Sequence, residues 1–476
     1  MTTPAFFKHA FNTESPVPVY RQLADQIKSA IATGLLQPGD KLPPTRDLAE
    51  LLKINRSTVS AAYSVLEEDE LLFGHVGRGS FVANQPINAS SRSRPSNLDD
   101  SISFASSRPS QDLFPLEDFR TCGQQVLSSP EVNQILQLGS PYGYPPLRRF
   151  LMEQARLNGV ARKDDEIMIT NGCQQALDLI ERAFGDGMAL VEDPVYPGVK
   201  SVFAKPGRKC AGIPVTTSGI DLGKFREHLA EPIRLAMLTP NFQNPTGASM
   251  PVEARLETIK LARKYGVQLV ENNIYEQLRY VGEDVPSIKQ LDESGHTIQL
   301  GSFSKIAFPG LRVGWIIGPK QILSRLAELK QACDLHSDQL SQAVLLRFAE
   351  SGLMAQHRVR ARAAGSLRLR AILNACARNL PAGSVYTRPE GGMNLWVTLP
   401  TDLDASALCK PAEQAGVSYL PGKAFEVSGD HSRSLRLSFA GLTPEHIEEG
   451  LRRLGKLFNS AQAGSLLMEH APAAVV

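Results

Sequence analysis

Apolar positions between residues 20 and 82 recur with helical spacing. Tyr20, Leu23, Ala24, Ile27, Ala30 and Ile31 form one stripe that stops near Gly34. Pro43-Pro44-Thr45 opens a second helix carrying Leu48, Leu51 and Leu52 inward. Either Asn55 or Ser57 can cap a third, which runs to about Asp69 with Val59, Ala62 and Leu66 inward. Leu71 to Val82 then predicts two short strands about a Gly-rich tip. Three helices followed by a hairpin predict a winged helix-turn-helix over residues 1–83.

From residue 102 the pattern changes to short apolar runs alternating with helical stretches. The runs are Glu166–Thr170, Met188–Glu192, Leu235–Thr239, Val267–Glu271 and Thr297–Gly301, with helices such as Cys173–Phe184 and Val252–Tyr265 between them. Strands joined by crossover helices predict an α/β domain with a mostly parallel sheet over residues 102–460, its ligand crevice past the carboxyl ends of the strands. Residues 84–101 are rich in Ser, Asn and Pro and read as a flexible linker. About 17 extended residues reach roughly 55–60 Å, so the small module need not rest on the large one. Residues 461–476 are weakly patterned and are expected to be a disordered tail.

Composition narrows the function classes. A chain of 476 residues and 51.8 kDa exceeds what one core usually supports, and 42% hydrophobic with 21% charged residues excludes global disorder. The formal net charge of +2 exerts no overall pull on a polyanion, so any nucleic-acid case rests on local geometry. Six scattered cysteines, with no C-x-x-C, suggest neither a disulfide framework nor a zinc site, and no metal is expected. No secretory signal or membrane-length apolar run is present in the sequence, which reads as cytoplasmic.

In the small module, Arg56, Ser57, Thr58 and Ser60 lie opposite the apolar stripe at the start of the third helix, where they can meet phosphates and base edges. Arg46 begins the preceding helix, and Arg78 lies between two glycines at the hairpin tip. Residues 1–85 hold eight Lys/Arg against nine Asp/Glu, but Glu67 to Glu70 cluster at the far end of the third helix. Val19-Tyr-Arg-Gln-Leu23, Leu36-Gln-Pro-Gly-Asp-Lys-Leu-Pro-Pro-Thr-Arg46, Asn55-Arg-Ser-Thr-Val59 and Gly77-Arg-Gly-Ser-Phe-Val82 resemble the GntR-type winged helix. The resemblance implies contacts to a double-stranded DNA operator from Arg46, Arg56, Ser57, Thr58, Tyr63, Arg78 and Gly79.

In the large module, Lys305 follows a strand, hydroxyls flank it at Ser302 and Ser304, and Arg312 comes seven residues later. A lysine so placed suits a phosphorylated aldehyde, the amine forming a Schiff base while hydroxyls and guanidinium hold phosphate. Gly172-Cys173 opens a helix after a strand, a natural anion site. Tyr196 can stack on a pyridine ring, and Asn244 and Tyr275 can bind a phenolic oxygen. Together these residues resemble a fold-type I aminotransferase domain binding pyridoxal 5′-phosphate. The resemblance implies Lys305 as the Schiff-base lysine, Tyr196 as the stacking ring, and Asn244 and Tyr275 as partners of the ring oxygen. It further implies Ser302, Ser304, Arg312, Gly172 and Cys173 as the phosphate cup, and Arg436 as the clamp for an effector carboxylate. A GntR-type reader fused to such a domain resembles the MocR subfamily of transcription regulators. That implies a homodimer sensing either the cofactor itself or an amino compound; the competing reading is a working aminotransferase with a passenger reader.

Two departures bear on that choice. The family usually places Asp three residues before the tyrosine that is here Tyr275, whereas this chain has Asn272-Asn-Ile-Tyr275. A carboxylate there holds the pyridine nitrogen protonated, and a neutral amide is not expected to do so, which puts turnover in doubt while leaving binding intact. In Leu138-Gly-Ser-Pro-Tyr-Gly-Tyr144, Leu138 replaces a tyrosine that in the family reaches the partner subunit's cofactor phosphate.

Overall fold

The computed structural model describes residues 18–32, 35–37, 39–68, 71–75, 79–82, 101–185, 187–204 and 207–469. They fall into two compact units divided between Leu98 and Asp99. In the first, α1 (Val19–Ala32), α2 (Thr45–Leu52) and α3 (Arg56–Glu68) precede an antiparallel pair, β1 (Leu72–His75) and β2 (Gly79–Val82). The periodic positions form the core: Leu23, Ile27, Leu48, Val59, Ala62 and Leu66 are all fully buried. Each leucine or isoleucine so buried contributes about 1.5–3 kcal/mol. Asn55 is the cap of α3, its Oδ1 accepting the Ser57 N–H at 3.1 Å.

The second unit opens with β3 (Ile102–Ser103) and then builds a large sheet from eight strands. These are β4 (Asp165–Asn171), β5 (Met188–Asp193), β6 (Cys210–Thr216), β7 (Gly219–Ile220), β8 (Ile233–Leu238), β9 (Gln268–Asn272), β10 (Ile298–Ser302) and β11 (Val313–Pro319). Their order is β4-β11-β10-β9-β8-β5-β6-β7, with only β11 and β7 antiparallel to their neighbours. All five expected strands form, and the helices Gly172–Phe184 and Val252–Tyr265 connect them. Strand β11 is an addition: Val313, Ile316 and Ile317 are buried, and both faces of the sheet are covered, so its residues show no clean alternation.

A smaller antiparallel sheet follows, from β12 (Val385–Tyr386), β13 (Asn394–Thr398), β15 (Leu420–Pro421) and β16 (Ser434–Ser438), while β14 (Val417–Ser418) pairs in parallel with β3. The first strand of the unit is thereby woven into its C-terminal subdomain. Long helices at Leu353–Asn379 and Pro444–Glu469 pack against one another over this core. The second continues past residue 460: residues 461–469, expected as part of a disordered tail, are helical. The linker up to Asp100, and the tail beyond Glu469, lie outside the described residues.

Candidate functional site

On the reader unit, Arg46, Arg56, Ser57 and Ser60 are exposed, and Thr58 is half-buried beside them at the N-terminal end of α3. Gly79 begins β2 opposite His75, and Arg78 lies outside the described residues. Tyr63 requires a correction. It is 4% exposed, packed in the core, and its hydroxyl donates to the Pro43 carbonyl at 2.7 Å. One helical turn separates it from Val59 and Leu66, so it shares their inward face and is not a DNA-facing residue.

In the large unit, the carboxyl ends of β4, β5, β8, β9 and β10 converge on one cleft, lined by Cys173, Tyr196, Asn244, Asn272, Tyr275, Ser302, Ser304, Lys305 and Arg312. Gly172 supports it from behind, with a backbone φ of +70° and a face against which the Arg312 guanidinium lies. A Cβ there would stand 2.3 Å from an Arg312 nitrogen. The first N–H groups of the helix Gly172–Phe184 have no intrahelical partner and carry the positive end of the dipole. Ser302 Oγ accepts the Ser304 N–H at 3.1 Å and donates to the Val313 carbonyl at 3.3 Å, which sets the turn into Lys305. Burial pushes the Cys173 thiol up to about 12, so it places no thiolate beside a phosphate.

Lys305 Nζ donates to the Ser107 carbonyl at 2.8 Å and lies 5.6 Å from the centre of the Tyr275 ring. Asn244 Nδ2 is 3.4 Å from the Tyr275 hydroxyl, and Asn244 Oδ1 accepts from Arg436 at 3.2 Å. Arg436 also donates to the Ala105 carbonyl, while its buried Nε has no partner among the described residues. Burial draws its guanidinium down to about 10, still charged at neutral pH. The carbonyls of Ala105 and Ser107, on the segment that follows β3, had no signal in the sequence. Thr239 was likewise missed; it lines the cleft just after β8.

The residues present fit pyridoxal 5′-phosphate. An amine, an aromatic side chain, two donors for a ring oxygen and a basic, hydroxyl-lined cup occupy one cleft. Asn272 Oδ1 adds a buried polar atom without a partner among the described residues. Leu138 is 80% exposed, and the Tyr142 hydroxyl lies 3.3 Å from Ser324 Oγ.

Residues 99–454 match the profile of aminotransferase class I and II, and residues 19–82 that of the bacterial regulatory proteins of the gntR family. The chain belongs to the aminotransferase class I and II family. Its reader is a GntR-family DNA-binding domain fused ahead of that fold. It is 36% identical over 367 residues to aromatic-amino-acid aminotransferase 1 of Thermococcus litoralis, covering 75% of this chain and 88% of that one. It is 28% identical over 489 residues to the probable rhizopine catabolism regulatory protein MocR of Rhizobium meliloti, covering 97% and 98%. Among solved structures, α-aminoadipate aminotransferase LysN of Thermus thermophilus, complexed with N-(5′-phosphopyridoxyl)-L-leucine, superposes with a TM-score of 0.72 at 34% identity, covering 77% and 94%. The two-module arrangement is thus matched end to end by a regulator, and the second module alone by enzymes.

Proposed function

We propose that the chain is a pyridoxal-phosphate-binding transcription regulator that holds a DNA operator through its GntR-family domain and senses the cofactor, or an amino compound bearing a carboxylate, in the aminotransferase-family domain. It acts as a homodimer in the cytoplasm, where paired readers would meet two half-sites. No helix among the described residues is long and apolar enough to cross a membrane. The carrying observation is the pairing of a complete lysine-centred cleft with an exposed α3 start on the reader.

When bound, the cofactor supplies an aldehyde that exchanges amines reversibly. The chain's own residues do the rest. Arg312, Ser302, Ser304 and the helix N-terminus at Gly172 and Cys173 hold phosphate. Tyr196 covers a ring face, and Asn244 and Tyr275 hold the ring oxygen. Arg436 orients an effector by its carboxylate. Because Lys305 and Arg436 both bond carbonyls of the segment 105–107, a ligand taking either side chain displaces a contact of the stretch that follows the connector.

Operator footprinting without cofactor, with cofactor, and with Lys305→Ala tests the gating. Distinct footprints with and without cofactor, lost in Lys305→Ala, are expected; three identical footprints would sink it. A second reading, a working aminotransferase, is favoured by the enzyme relatives of the large domain. Keto-acid release from a panel of amino acids at several turnovers per second would establish it instead.

A further inference from the structure

Three adjacent parallel strands end side by side at the cleft. Glu192 is the penultimate residue of β5, Thr239 follows β8, and Asn272 closes β9. They are only 3%, 6% and 6% exposed, so bulk solvent scarcely reaches them. Asn272 Nδ2 donates to Thr239 Oγ1 at 3.4 Å. The Thr239 backbone N–H donates to Glu192 Oε1 at 2.8 Å and Gln243 Nε2 donates to the other oxygen at 3.2 Å, while the Thr239 side chain helps hold this carboxyl down against its burial. With Oγ1 accepting from Asn272, the Thr239 hydroxyl keeps its own proton for the Glu192 side. The amide is thereby oriented with its nitrogen toward Thr239. Its oxygen is buried, has no partner among the described residues, and belongs to a side chain lining the cleft.

We propose that Glu192, acting through Thr239 and Asn272, holds the pyridine nitrogen of bound pyridoxal phosphate in its protonated form. This rests on the cofactor reading above. An amide oxygen facing the ring accepts an N–H but repels a bare nitrogen lone pair, which favours the protonated ring. The positive ring and the Glu192 carboxylate then attract across a buried path where screening is weak. Burial pushes Glu192 up to about 8, and a nearby cation draws it back toward the ionised form. The counter-charge that the family keeps at position 272 is displaced here by one amide and one hydroxyl rather than removed. Glu192 is a positioning residue, outside the cleft lining.

The test loads the full chain with ring-15N pyridoxal phosphate, verifies attachment at Lys305 by borohydride trapping and peptide mapping, and reads the ring-nitrogen 15N shift. The wild-type resonance is expected upfield, at the protonated position. Glu192→Gln and Thr239→Val should each move it downfield toward the free base. Adding Asn272→Asp to Glu192→Gln should return it upfield, because a carboxylate then faces the ring directly. A free-base resonance in the wild type, an unmoved resonance in both single variants, or no rescue by Asn272→Asp each overturns the inference and leaves the cofactor reading standing. A wild type that traps no cofactor at Lys305 overturns both.

Discussion

His431 Nε2 lies 3.1 Å from an Asp193 carboxylate oxygen, joining the β15–β16 loop to the end of β5. The same carboxylate accepts the backbone N–H groups of Val427, Ser428 and Gly429 at 3.0, 2.9 and 2.6 Å. Two residues along, the Val195 N–H donates to the Phe425 carbonyl at 2.8 Å, and Tyr196 enters the cleft next. One side chain therefore ties the two subdomains together beside the stacking ring.

Burial by itself would raise the Asp193 carboxyl, but His431 and the three backbone donors outweigh it and hold it well below the usual carboxylate range. The folded value is the lower one. This stabilisation is therefore fully present above the unfolded value of about 4 and is lost as pH falls through the folded value. Asp193→Asn should cost about 2–3 kcal/mol in urea unfolding at pH 7. The gap from wild type should narrow progressively below about pH 4; a gap that stays constant into acid would refute the assignment.

Gly172→Ala should disable the phosphate cup. The position needs a positive φ of +70°, and the added methyl would meet the Arg312 guanidinium. Cofactor affinity is expected to fall by more than about tenfold, equivalent to roughly 1.4 kcal/mol, in an absorbance titration. Gly207→Ala, where a Cβ meets nothing within 4 Å, shares the positive φ and controls for backbone strain alone.

Tyr63→Phe and Arg56→Ala should separate structure from recognition. Removing the Tyr63 hydroxyl leaves the Pro43 carbonyl without its donor and should lower reader stability by about 1 kcal/mol, with DNA affinity unchanged at temperatures where the reader is folded. Arg56→Ala should leave thermal stability alone while reducing the salt dependence of DNA binding by about one counterion. A reversal of the two phenotypes in melting and salt-titration experiments would return Tyr63 to the interface.

Leu138→Tyr should strengthen cofactor binding. An extra hydrogen bond to phosphate across a homodimer contributes about 0.5–1.5 kcal/mol, or roughly two- to tenfold in affinity. Equilibrium dialysis measures it, and an unchanged affinity would mean that Leu138 does not reach the partner's cup.

Local pattern carried much of this protein. The stripes of α1 to α3 were legible because a 3.6-residue repeat of Leu, Ile and Val has one economical burial. The five crossover strands and the run from Ser302 to Arg312 were legible because a strand end followed by a turn forces neighbouring side chains into one cleft. Tyr63 was misassigned because an aromatic with a polar tip suits either a groove or a core, and only the Pro43 carbonyl, twenty positions away, decides. The helix runs past residue 460, where the sequence is only weakly patterned.

Sequence alone was sufficient for the two-module order, the α/β class, the lysine and the loss of aspartate at position 272, since each is written in contiguous residues. Tertiary structure decided what that loss means. Glu192, Thr239 and Asn272 are neighbours only because β5, β8 and β9 lie adjacent in the sheet, and the Ala105 and Ser107 carbonyls reach Arg436 and Lys305 only because β3 pairs with β14. Strand order arises from the competition of whole surfaces for burial, so the meeting of distant polar groups is not encoded in any local run of residues.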